Sequence, residues 1–213
     1  MNVFKYIVSS KKALWPLAGA ASGAVSVGVM ALGGKSWGTI NILGLKTPDG
    51  NAMFFPPGCF FGFTIAILLF FSSKIRSFWR SILLIGMSGI AHYVAFETAF
   101  RIANFLNYRD NYSFKIIPAG FLGGAIGAAI LGGSFYLLYP IEARWRFAIK
   151  FIGFGAIFGT LLFFVFGVGE KTNFFIGYSL LYVPWQAAVA YCLSLFYAPD
   201  QENKAKLPLQ EQP

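Results

Sequence analysis

Charge is scarce in this chain: 12% of its 213 residues are Asp, Glu, Lys or Arg, against a hydrophobic fraction of 57% and a mean hydropathy of +0.64. That balance excludes an ordinary soluble domain. Histidine is rarer still, with His92 alone, which excludes a bis-histidine haem or a His-rich metal cluster built from this chain. The two cysteines, Cys59 and Cys192, fall near opposite ends of their apolar runs, so no intramolecular disulfide is expected. Strong zinc-ligand patterns, a Gly-x-Ser-x-Gly elbow, a phosphate-binding loop and paired aspartates are all missing from the apolar runs. Enzymatic chemistry would rest on a serine paired with His92 and nothing more, so neither catalysis nor a cofactor is expected.

What is present is hydrocarbon-compatible sequence in long pieces. Cutting at the charged connections leaves six apolar runs: Ala13–Gly34, Met53–Ser73, Ser81–Phe105, Ile116–Tyr139, Phe147–Gly169 and Phe174–Ala198. Each has the ~20 residues a helix needs to cross ~30 Å of lipid, and none alternates like a barrel strand. The expected fold is an all-α integral membrane protein, a multi-pass bundle of six transmembrane helices over residues 13–198. A basic segment, 1–12, precedes it and a polar tail, 199–213, follows it.

The formal charge of +9 suggests membrane topology rather than nucleic acid, because Lys and Arg sit in the short connections. Lys5, Lys11, Lys12, Lys74, Arg76, Arg80, Arg144, Arg146, Lys150, Lys204 and Lys206 share one side; Lys35, Lys46, Arg109, Lys115 and Lys171 share the other. Both termini are therefore expected on the cytoplasmic or equivalent face. Trp15, Trp79 and Trp145 read as interface anchors, and the long connection from Lys35 to Asn51 as an interfacial segment that could cap a vestibule.

The two halves echo each other. "HYVAFETA" in the third run resembles "LYVPWQAA" in the sixth: Tyr93 matches Tyr182, Glu97 matches Gln186, Ala99 matches Ala188 and, further on, Tyr108 matches Tyr197. Gly28 with Leu32–Gly33–Gly34 resembles Gly127 with Leu131–Gly132–Gly133. Three spans per copy, over 13–108 and 116–197, would place the second copy upside down, the inverted-repeat plan of many transporters.

Polar residues within the runs mark the candidate site. Tyr93, Glu97, Arg101 and Asn104 fall within about 80° of one another on a helix, and Tyr182 with Gln186 form the matching stripe. Glu97 and Arg101 stand at the i,i+4 spacing of a salt bridge. Intramembrane charges are costly, so Glu97 is a candidate for binding a cation or proton and Arg101 an anion; the competing role is to glue helices together. His92 lies about 140° from Glu97, off the stripe, and is expected to hydrogen-bond a neighbour. Pro184 is a candidate hinge, and the spaced glycines are close-packing surfaces.

Two functions fit. One is a small-solute or ion transporter or channel with a midplane polar site between the third and sixth helices; the other is a non-catalytic subunit that scaffolds or anchors a larger membrane complex. The partners are the lipid bilayer and, respectively, a small solute or ion, or another protein in a homo-oligomer or membrane complex.

Overall fold

A computed structural model describes residues 11–37, 55–72, 77–106, 116–139, 141, 144–166 and 173–197. The N-terminal segment through residue 10, residues 38–54, Tyr108 and the tail lie outside them, as do the roles expected there. The described residues are helical, with no strand among them. In chain order the helices are α1 (Lys11–Trp37), α2 (Phe55–Ser72), α3 (Phe78–Phe105), α4 (Ile116–Leu138), α5 (Arg144–Gly159), the single turn α6 (Leu162–Phe164) and α7 (Phe174–Tyr197).

Among the described residues, five stretches are long and apolar enough to cross a membrane, where six were expected: Ala13–Met30, Phe78–Phe105, Ile116–Leu138, Arg144–Phe164 and Phe175–Phe196. The second run falls short, its apolar helix being Phe55–Phe70. Pro56 and Pro57 sit at its start, where their missing N–H groups remove two donors that a first turn leaves unpaired. Gly58 then packs on Ser88 and His92, halfway along α3, so α2 begins at the middle of its neighbour rather than level with its end.

Each long helix packs on the next in sequence, and α1 closes the ring on α7. Small residues make the contacts possible. A Cβ on Gly124 would run into the carbonyl of Gly155, and one on Gly23 would lie 2.7 Å from the carbonyl of Tyr182. Helices this close gain van der Waals contact that lipid cannot supply, which is the main force available between apolar helices in a bilayer. Facing outward are large apolar side chains such as Leu17, Phe63, Leu83 and Ile157, as lipid contact requires. Trp79 and Trp145 are also exposed, whereas Trp15 is buried in the core.

One helix is interrupted. At Thr160 and Leu161 the backbone N–H groups bond three residues back, to Ile157 and Phe158, and the α-helical ladder lapses before α6. α7 runs unbroken through Pro184, the expected hinge, from Phe174 to Tyr197.

Candidate functional site

Three helices each present an uncharged polar pair at i,i+4 spacing to the middle of the bundle: Ser22 and Ser26 on α1, Ser88 and His92 on α3, and Tyr182 and Gln186 on α7. All six are buried. The spacing puts both members of each pair on one helix face, and glycines bring the faces together. Gly19 and Gly23 seat α1 on the carbonyls of Gln186 and Tyr182, while Gly58 seats α2 against Ser88 and His92.

Gln186 is fully buried and its Nε2 donates to Ser26 Oγ at 3.2 Å. Ser26 Oγ in turn donates to the carbonyl of Ser22 at 2.8 Å, with the carbonyl of Pro57 at 3.4 Å as its alternative acceptor. The chain of bonds stops there. Ser22 Oγ, Ser88 Oγ, His92 Nδ1, Tyr182 Oη and Gln186 Oε1 are buried without a hydrogen-bond partner among the described residues.

Aromatic rings join α3 to α7. His92 stacks on Tyr182 at 5.5 Å between centroids with 8° between planes, and meets Trp185 edge-on at 4.8 Å. Phe96 also stacks on Tyr182, at 5.9 Å. Beside these four rings lies a cavity of about 40 Å³. The glycine surface of α4 also lines it, as do Gly159 and Leu162 at the interruption between α5 and α6, and the space is partly open to the outside.

The stripe expected on α3 faces elsewhere. His92, Ala95, Phe96 and Ala99 line the cavity, and Tyr93, Glu97, Arg101 and Asn104 lie roughly 150° around the helix from them. Arg101 Nε donates to Glu97 Oε1 at 2.7 Å, so the i,i+4 bridge forms, but the Arg101 side chain is 79% exposed and that of Glu97 23%. Tyr93 is half-buried and Asn104 exposed. The structure thus brings Tyr182 and Gln186 to the centre of the bundle and sets the four α3 residues on another face. Pro184 is half-buried on α7 between them.

Sequence reasoning passed over Ser22, Ser26, Ser88 and Trp185 and set His92 aside. A signal was present in the repeated i,i+4 spacing of uncharged polar residues on three runs, which charges at Glu97 and Arg101 outweighed. Comparison with protein-family models, curated proteins and solved structures finds no match to this chain.

Proposed function

We propose that this chain is a small membrane transport protein, a transporter or channel whose path for a small solute or ion runs through the middle of the bundle between the third and sixth spans. The observation that carries this reading is a set of five buried polar atoms on three helices without a partner among the described residues, two of them on His92 and Tyr182, which line the cavity. Each such atom costs about 1–3 kcal/mol when nothing pairs with it. Five together approach the ~5–15 kcal/mol that is a whole domain's stability. A bundle with only an architectural task would do better with apolar residues there, so the cost points to water or solute that pairs with these groups. Tyr182 and Gln186 line the path from α7, and His92 and Ser88 from α3. Glu97 and Arg101 stand away from it.

In this reading the termini lie on the cytoplasmic or equivalent face, and the halves are inverted repeats. Glycine packing supports the second point. Gly19 and Gly23 on the first span rest on the carbonyls of Gln186 and Tyr182 of the sixth; Gly123 and Gly127 on the fourth rest on those of Ala95 and Ala91 of the third. Both pairs are antiparallel, with glycines four apart against carbonyls four apart. This register matches Gln186 to Ala95 rather than Glu97, a shift of two residues that rotates the third span by about 200° against the sequence matching.

The test is thiol accessibility. With Cys59 and Cys192 replaced by Ala, single cysteines at Ser22, Ser88 and Gln186 should react with a membrane-impermeant reagent applied from one side or the other. Protection of all three in folded protein would overturn the path and favour the scaffold or anchor role.

A further inference from the structure

Apart from any path through the bundle, we propose that one end of it binds the phosphate headgroup of an anionic phospholipid, in a site built from the starts of α3 and α5 on either side of the end of α4. Two contacts assemble that site. Tyr139, just past α4, lies against Ser81 and within electrostatic reach of Arg80, near the start of α3. Arg144, the first residue of α5, donates from Nη1 to Tyr136 Oη at 2.8 Å, and its guanidinium carbon lies 4.8 Å from the centre of that ring.

The formal charge here is positive and the chain does little to balance it. Neither helix has an acidic residue in its first turn, where the partial positive charge of a helix start favours one. Arg80 and Arg144 stand there instead, so cations are added to a positive potential. Glu97, the one acidic residue among those described, lies about 25 Å further along α3. In the sequence, the connections before α3 and α5 add Lys74, Arg76 and Glu142, one carboxylate beside two more cations. The counter-charge is left to the surroundings.

At this depth the surroundings are lipid headgroups. Phe78, Trp79, Leu137 and Trp145 are 71–82% exposed, and indole rings at the end of a span settle at the level of the headgroups. They seat α3, α4 and α5 in the layer that carries lipid phosphates. Tyr136 takes one of the five N–H donors of Arg144 and its ring backs the group. The side chain is otherwise exposed, and a guanidinium fork matches two phosphate oxygens. A zwitterionic headgroup brings its own cation into this positive field, so the anionic lipid is favoured.

The experiment uses the full chain in detergent with an equimolar mixture of phosphatidylglycerol and phosphatidylcholine, and counts the lipids retained by native mass spectrometry. Phosphatidylglycerol adducts should outnumber phosphatidylcholine adducts. Arg144→Gln should lower that ratio about fivefold, and Arg80→Gln added to it should lower it again. Lys150→Gln removes the same charge from α5 at about 120° around the helix from Arg144, and should lower the ratio far less. Ile157→Ala, toward the other end of α5, should leave it unchanged.

Equal retention of the two lipids would overturn the proposal. So would a preference that Arg144→Gln leaves intact, or one that Lys150→Gln lowers equally, which would mean a diffuse positive field rather than a site. Displacement of the lipid by excess inorganic phosphate would assign the site to a free anion instead. Dimer peaks that vanish with Arg144→Gln, without any lipid preference, would make the surface a contact between copies of the chain. The transport reading is untouched by each of these results, because the cavity and the buried polar groups lie elsewhere in the bundle.

Discussion

The two polar faces of α3 differ in every respect that decides their cost. One carries Glu97 and Arg101, bridged at 2.7 Å, with the Arg101 side chain exposed and that of Glu97 partly so. The other carries Ser88 and His92, buried and each with an atom that has no hydrogen-bond partner among the described residues. Charges that a sequence displays loudly go where they can be solvated or paired, because the penalty for burying them alone is several kcal/mol. Hydroxyls, an amide and an imidazole can be carried to the centre of a bundle at a cost of about 1–3 kcal/mol each. A membrane bundle therefore hides its quiet polar groups and shows its loud ones.

Exchanging the residue types between these regions is the strongest test of that contrast. Gln186→Glu places a carboxylate where the side chain is 0% exposed, and should destabilise the protein by roughly 3 kcal/mol or more at pH 7. The loss should be smaller at low pH, where the carboxyl is protonated and neutral. The reverse exchange, Glu97→Gln, should cost less than about 1 kcal/mol, since its pair is open to the surroundings. Chemical or thermal unfolding in detergent measures both. Equal effects would show that the centre tolerates charge as well as the face that carries Glu97 and Arg101 does.

Within the centre, the bond between Gln186 and Ser26 can be isolated. Ser26→Ala removes the acceptor for Gln186 Nε2 and leaves the whole amide unpaired, so a loss of about 1–2 kcal/mol is expected. Adding Gln186→Leu should return most of it, because an apolar pair needs no partner. A double variant no more stable than Ser26→Ala would mean that water already satisfies the amide, and would sharpen the case for a wet centre.

Much of the fold was legible because length and hydropathy act locally. The spans from Ala13, Phe78, Ile116 and Phe175 emerge within a few residues of where the apolar runs begin, and the glycines at 19, 23, 120, 123, 124 and 155 do pack helix on helix. The shortness of α2 was less visible, since Pro56–Pro57 marks a helix start but not its depth against α3. The break at Thr160–Leu161 carries neither proline nor an obvious signal; Gly159 beside it is one of several glycines on that run. Of the candidate site, Tyr182 and Gln186 were legible as polar residues in an apolar helix, but which face of α3 met them was not. Matching Tyr93 to Tyr182 by residue type assumed a rotation that helix packing alone decides. His92 looked structural for want of a second histidine, and its partners turned out to be the rings of Tyr182, Phe96 and Trp185.

The smallest effect should come from the Glu97–Arg101 pair. Arg101→Ala removes the Nε–Oε1 bond to Glu97, an i,i+4 bridge whose cation is 79% exposed. Exposed pairs at this spacing contribute about 0.3–0.5 kcal/mol, and salt at ~1 M shortens the Debye length to ~3 Å and weakens them further. The variant should therefore unfold within about 1 kcal/mol of the parent at low salt, and the gap should narrow as salt is added. Ser88 and the cavity lie on another side of α3, so cysteine labelling at Ser88 should be unchanged. A loss above about 2 kcal/mol, unaffected by salt, would be the signature of a desolvated pair. Glu97 and Arg101 would then belong with the buried groups, and the distinction between the two faces of α3 would have to be given up.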